Sequence, residues 1–380
     1  MPLNTNPNAT ATFRKTTETF AAGSKTLPQS YFVSNDIFKQ EQDRIFGGHW
    51  LCVGHQSQVE NPGDYFLQEV TGESLIVVRD QPGEIHGFYN ICRHRGTRLC
   101  EEPRGHFQAI QCPYHAWTYG LDGHLAGAPH MDHVQGFNKA DHALAPVRLD
   151  SWEGFIFLNL SDDPPPLAKV CAPMADKFTD WNLPKLRSAR RIEYEVRANW
   201  KLVCQNYSEC YHCPLVHPTL AKVSPYDAAE NDLFEGRFLG GFMPISKGHS
   251  LTMSGRACAL PVGEMKGEDQ HRVYYYSIFP NLLLSLHPDY VMVHQLWPQA
   301  PDRVRILCDW LFHPDAFARP DFHPEDAISF WDMTNRQDWH VCELSQQGIA
   351  SRAYQPGFYS PRESIPAAWD REYLRVLEGA

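Results

Sequence analysis

The spacing of apolar residues shifts from helical to alternating and back again along this chain. Within residues 26–46, Ile37, Phe38, Ile45 and Phe46 recur at helical intervals behind Ser34 and Asn35, either of which can cap, so a helix is predicted from Ser34 onward. From Trp50 to about Leu160 the pattern becomes short alternating runs, at 65–70, 75–79, 85–90 and 154–160. Turn signals such as Asn61-Pro62-Gly63-Asp64 and Gln81-Pro82-Gly83 separate them, and the proline run 164–166 closes the region. These features predict a small all-β domain. Beyond it, Ile192, Tyr194 and Val196 alternate, and residues 199–211 turn helical. Strand candidates follow at 272–279, 281–286, 290–297 and 303–312, then a long helix over 324–348 and a last one over 367–377. The predicted fold class is α+β, with an antiparallel sheet in the second part and the all-β domain set into it.

Charge narrows the partners. The chain has 380 residues, with 34 Lys and Arg against 45 Asp and Glu, a net charge of −11 that a phosphate backbone would repel. Nucleic acid is therefore not expected. No run approaches the roughly 18 apolar residues of a spanning helix, so no membrane partner is expected either. The first twenty residues are polar, without the apolar stretch of a secretory signal, and residues 1–25 read as a loosely ordered lead-in. A cytoplasmic protein is the expectation. In that setting eleven cysteines are not a disulfide set, and most should pack as small reduced hydrophobes.

Two groups of residues stand out from this background. Cys92-Arg93-His94 is followed by Cys112-Pro113-Tyr114-His115, so each loop offers one thiolate and one imidazole. Two such loops can close over a [2Fe–2S] cluster, with two Cys on one iron and two His on the other. Neutral imidazoles lower the negative charge on the cluster and raise its potential, which suits a centre that accepts electrons and passes them on. A Cys₂His₂ zinc site is the alternative, but zinc fingers usually pair like with like. The segments Cys92–Gly96 and Cys112–Tyr119 resemble the Rieske family. Respiratory members of that family join the loops through two further cysteines. Here those positions are Thr97 and Tyr114, which leaves the oxygenase and ferredoxin pattern. Cys100 lies outside the motif and reads as packing.

The second group is Glu209, His212 and His217. On a helix Glu209 and His212 share a face at i,i+3, whereas His217 falls about 140° away. Pro214 and Pro218 loosen the backbone enough for it to reach a shared metal. Two imidazoles and one carboxylate that leave open positions form the facial triad of O₂-activating Fe(II). Helix histidines held by local hydrogen bonds are the plainer reading of this spacing alone. Cys210 and Cys213 also form a CxxC, but without a thioredoxin-like context both read as packing near the metal.

The second segment is similar to the iron-site signature of Rieske oxygenases, and the likeness runs from about Thr26 to the C-terminal helix. It implies that His212 and His217 bind iron. Glu209 is then a bridge between an iron histidine and a cluster histidine, and a distant Asp completes the triad. Asp338 is the best match for that Asp, with Asp332 and Glu343 as rivals. The resemblance further implies a Rieske domain over residues 47–162, inserted in a helix-grip catalytic domain over 163–380, with residues 1–46 packing on the latter. It implies a [2Fe–2S] cluster, a mononuclear Fe(II), O₂ and a small organic substrate, and a homotrimer.

No GxGxxG fingerprint is present, so electrons must come from a separate NAD(P)H-dependent reductase, directly or through a ferredoxin. The form Glu209-Cys-Tyr-His-Cys-Pro-Leu-Val-His-Pro218 looks like the branch that oxidises carnitine, choline and glycine betaine. N-methyl oxidation of a quaternary amine is the first expectation and aromatic ring hydroxylation the second. Tyr274, Tyr275, Tyr276, Phe279, Tyr290 and Trp297 could form a cation–π cage, although most residues on alternating strands are simply core. A Rieske electron carrier needs only about a hundred residues, and a zinc hydrolase built on Glu209, His212 and His217 leaves the first motif unexplained.

Overall fold

The structure is a computed structural model that describes residues 12–379. Its contacts form two compact units, residues 41–175 and residues 12–40 with 176–379. These boundaries differ from the expected 46/47 and 162/163 because the chain beyond Pro164 stays with the first unit. The Trp50 indole donates to the Pro165 carbonyl at 2.8 Å, and the short helix Leu167–Val170 packs on the strand Arg148–Trp152. Among the described residues, no helix is long and apolar enough to cross a membrane.

The unit of residues 41–175 is all-β. One antiparallel sheet runs Ile85–Tyr89, Glu73–Arg79, Asp64–Val70, Arg104–His106, matching three of the predicted runs to within two residues. The turn predicted at Gln81-Pro-Gly is held by the Asp80 carboxylate, which accepts the Gly83 and Glu84 N–H groups at 2.9 and 2.7 Å. A second sheet joins Arg148–Trp152, Phe155–Asn159 and Leu51–His55. A third joins Ile110–Gln111, Thr118–Tyr119 and Leu125–Gly127, strands too short to show a period in sequence.

The other unit is built on one eight-stranded antiparallel sheet. Its order is Arg14–Lys15, Glu230–Leu233, Phe238–Pro244, Arg272–Ile278, Leu282–Leu286, Val291–Ala300, Arg303–Phe312, Arg187–Val196. All four strands expected between 272 and 312 are present. The long helix Glu325–Ile349 crosses this sheet, turning Trp331, Thr334, Asn335 and Trp339 inward at helical spacing. Trp331 Nε1 donates to the Tyr290 hydroxyl at 2.6 Å and Tyr194 donates to Asp332 at 2.8 Å, which fixes the helix on its sheet.

Three local expectations need correction. Residues 12–25 are not a loose lead-in, because Arg14 and Lys15 pair with Asn231 and Glu230 as an edge strand. The part of that expectation covering residues 1–11 lies outside the described residues. The helix expected over 199–211 stops at Tyr207, and Cys213–Val216 and Pro218–Ala221 follow as separate turns. The Glu209 carboxylate explains the break, since it folds back to accept the Tyr211 and His212 N–H groups. Cys210 and Cys213 are joined as a disulfide and are not two packed thiols, because the tight turn between them brings their Cα atoms to 4.9 Å. Nine other cysteines are free and buried.

Candidate metal centres

The first centre lies on two loops that share one backbone design. Gly96 N donates to Cys92 O at 3.0 Å, and Ala116 N donates to Cys112 O at 3.1 Å. Cys92 N and Cys112 N in turn donate to Thr97 O and Trp117 O, both at 2.8 Å. Each loop turns through a left-handed residue four positions after its cysteine, Gly96 at φ 74° and Ala116 at φ 56°. The two thiols are buried, His94 is half-buried and His115 is exposed. The imidazoles stand 4.7 Å apart between ring centroids.

Trp117 stacks on His94 at 4.7 Å, and the Tyr119 hydroxyl reaches Cys92 Sγ at 3.3 Å. Neither contact was visible in the sequence. Burial pushes the Cys92 thiol up despite the Tyr119 hydrogen bond, with Cys112 adding to the rise. Burial, His115 and Arg95 all push His94 down, towards the neutral form that a ligand requires. Two adjacent buried thiols and two neighbouring outward imidazoles fit a [2Fe–2S] cluster with a buried sulfur side and an accessible histidine side. Cys100 stands apart, with its thiol 2.9 Å from the Tyr65 hydroxyl.

The second centre lies wholly in the other unit. The candidate ligand atoms of His212, His217 and Asp338 all fall within 4.8 Å of one another. Asp338 Oδ1 is 2.7 Å from His217 Nε2 and 3.3 Å from His212 Nε2. The opposite ring nitrogens are held from behind: His212 Nδ1 is 2.5 Å from Glu209 Oε1, and His217 Nδ1 is 2.8 Å from Gln337 Oε1. With Nδ1 held by these acceptors, both Nε2 atoms point at Asp338, so a metal would take their lone pairs once the Nε2 protons shared with Asp338 are lost. Burial alone would push His212 down, but its hydrogen bonds to Asp338 and Glu209 outweigh this and raise it to about 10. Asp338 is held below the usual carboxylate range, because both histidines outweigh its burial. A metal ion would take the place of these shared protons, with one donor atom each from His212, His217 and Asp338.

The rival carboxylates are engaged elsewhere. Asp332 accepts from Tyr194 and from Arg336 at 2.9 Å, and Glu343 accepts the Arg197 N–H at 3.0 Å. Gln337 was missed in the sequence. Its only signal was its place beside Asp338, on a helix rich in polar residues.

A cavity of about 1070 Å³, counting its open mouth, adjoins the triad. Tyr207, Phe242, Tyr275 and Trp331 are among its aromatic lining residues, with Tyr211, Tyr226 and Trp339. Tyr275 meets Tyr207 and Trp331 edge-on, at 6.1 and 6.4 Å between centroids. Of the six aromatic residues singled out from the sequence, Tyr275 alone lines this space. Tyr274, Tyr276 and Tyr290 direct their hydroxyls to Asp269, Asp232 and the Leu251 carbonyl, and Phe279 packs on Trp369. Buried Trp297 does not line the cavity either.

Residues 49–138 match the Rieske [2Fe–2S] domain, and residues 183–379 match the catalytic domain of the ring hydroxylating alpha subunit. The glycine betaine monooxygenase oxygenase subunit of Chromohalobacter salexigens is 33% identical over 368 residues, covering 89% of this chain and 82% of that one. The solved structure of a quaternary ammonium Rieske monooxygenase, reported with carnitine oxidation by gut microbiota, superposes with a TM-score of 0.80 at 25% identity and covers 96% of this chain and 100% of that one. Naphthalene 1,2-dioxygenase from Rhodococcus sp. shares the fold, with a TM-score of 0.72 at 21% identity over 93% of this chain and 94% of that one. The chain is thus an oxidoreductase with a Rieske [2Fe–2S] cluster and a mononuclear iron, and it belongs to the alpha subunits of the Rieske ring-hydroxylating oxygenase family.

Proposed function

We propose that this terminal oxygenase oxidises an N-methyl group of a quaternary amine. The observation that carries the reading is the aromatic-lined cavity on the triad, since rings such as Tyr207, Phe242, Tyr275 and Trp331 suit a cation that cannot donate hydrogen bonds. Likeness to a glycine betaine monooxygenase along most of the chain supports it. In this reading Cys92 and Cys112 hold one cluster iron and His94 and His115 the other, while His212, His217 and Asp338 hold the mononuclear iron. Glu209 and Gln337 orient the two imidazoles, and the aromatic walls border the space where the reacting methyl group would sit.

Bound there, the iron supplies O₂ activation, with electrons arriving through the cluster. For the substrate, R–N(CH₃)₃⁺, O₂, two electrons and two protons give R–N(CH₃)₂CH₂OH⁺ and water. The hydroxymethyl product then releases formaldehyde and a proton to leave R–N(CH₃)₂. A separate NAD(P)H-dependent reductase, alone or with a ferredoxin, supplies the electrons. In a homotrimer, Glu209 would also accept from His115 of the partner subunit, linking the two centres across a closed ring.

The test is NADH-driven turnover with a compatible reductase, comparing quaternary amines with aromatic acids. Substrate-dependent O₂ uptake with one formaldehyde per amine consumed is expected. A ring-hydroxylated aromatic product without formaldehyde would replace this reading.

A further inference from the structure

We propose that Arg362 anchors a substrate carboxylate, which narrows the substrate from quaternary amines in general to quaternary ammonium carboxylates; this rests on the reading above. Arg362 lines the same cavity as His212, His217 and Asp338 and is the one Lys or Arg among its described lining residues. Among the described residues no carboxylate pairs with its guanidinium, whose contact is the face of Tyr226 at 5.1 Å from the ring centroid. Several other arginines of this unit meet an acid instead. Arg191, Arg237, Arg336 and Arg375 pair with Asp309, Glu372, Asp332 and Glu372 respectively. A guanidinium presents a planar fork suited to two carboxylate oxygens, and here the fork has no protein acid to meet.

The backbone around it is fixed. Ser360 Oγ accepts the Arg362 N–H at 3.3 Å, and Glu363 accepts the Ser360 N–H at 2.7 Å, closing a capping box. Two residues on, the buried Ser364 hydroxyl bonds Thr19 at 2.9 Å and Asn231 at 3.2 Å. Arg362 therefore leads into the N-terminus of the helix Ser364–Glu378, whose dipole adds positive potential at that end of the cavity.

The charges of the cavity decide what suits it. Its acidic lining residues are Glu209 and Asp338, both already bonded to histidines. An alcohol-bearing quaternary amine would fill the aromatic walls and leave Arg362 without a counter-charge. A molecule with an ammonium at one end and a carboxylate at the other satisfies both.

The test uses the full-length, metal-loaded protein and its Arg362→Gln and Arg362→Lys variants, titrated calorimetrically with trimethylglycine, choline and benzoate. Trimethylglycine affinity should fall on the order of 10- to 100-fold in Arg362→Gln, the cost of a lost charge-assisted pair, with partial recovery in Arg362→Lys. Choline affinity should move less than about threefold, because the lost interaction involves the carboxylate alone. Trimethylglycine binding within twofold of wild type in Arg362→Gln, or an equal loss for choline, overturns the anchor and leaves the amine reading standing. Benzoate bound through Arg362 with no trimethylglycine binding overturns the betaine assignment through the amine reading instead.

Discussion

Gln337 offers a sharp test of how this protein holds its mononuclear metal. His217 is 2% exposed, and its Nδ1 bonds Gln337 Oε1 at 2.8 Å. Replacing Gln337 with Leu removes the acceptor while keeping the bulk and the helix. The lost bond is worth about 1 kcal/mol, and stranding a buried N–H adds about 1–2 kcal/mol. The ring also loses the group that fixes which nitrogen faces the metal. Together these weaken metal binding by about 10- to 100-fold, the range seen when an outer partner of a metal histidine is removed. The assay is Co(II) titration of the iron-depleted mononuclear site, followed by visible absorption against a competing chelator. Cluster absorption serves as an internal control. Gln337→Glu keeps an acceptor and should bind within about threefold of wild type. Binding by Gln337→Leu within twofold of wild type would refute the reasoning, because the His217 tautomer would then be set by something other than this contact.

Other outcomes follow from the same geometry. Asp338→Ala should leave the mononuclear site without metal while sparing the cluster, and Asp332→Ala, one to two turns away, should retain both, as iron counts per chain will show. At saturating iron, Glu209→Ala should fill both centres yet lose nearly all multiple-turnover activity, with Glu209→Gln milder; cluster reoxidation by O₂ in rapid mixing reads this directly. Burial raises the Asp370 carboxyl from 3.8 to about 7, although Gln205 and Tyr359 donate to it. The folded state therefore keeps a proton that the unfolded chain releases. Stability from this group is present below about pH 4 and is lost as pH rises towards about 7. Asp370→Asn should flatten that part of the pH–stability curve, measured by urea midpoints.

The metal centres were more legible than the frame around them. Cys92, His94, Cys112 and His115 announce themselves because soft ligands in two mixed pairs are rare, and the loops that carry them need few other residues. Glu209 and His212 were visible as a pair, but the break after Tyr207 was not. It depends on a carboxylate competing with helical hydrogen bonds for nearby N–H groups, and sequence spacing does not reveal which wins. The cavity walls were the least readable. Tyr274, Tyr275 and Tyr276 are chemically identical, and only strand register decides that Tyr275 faces the cavity. Gln337 and Arg362 were hidden for a different reason: each matters through a contact distant in sequence, His217 for one and the far lining of the cavity for the other.

The helix Glu325–Ile349 acts as a ruler laid along the cavity. Trp331, Thr334, Asn335 and Asp338 all line that space from this one helix. At about 1.5 Å of rise per residue, Thr334 stands about 6 Å and Trp331 about 10 Å along the axis from Asp338. Those graduations span the length of a small organic molecule, measured from the metal outward. A change at position 334 or 335 therefore alters the room nearest the reacting atom, and a change at 331 alters how long a molecule can be. Neither moves the carboxylate that sets the zero of the scale.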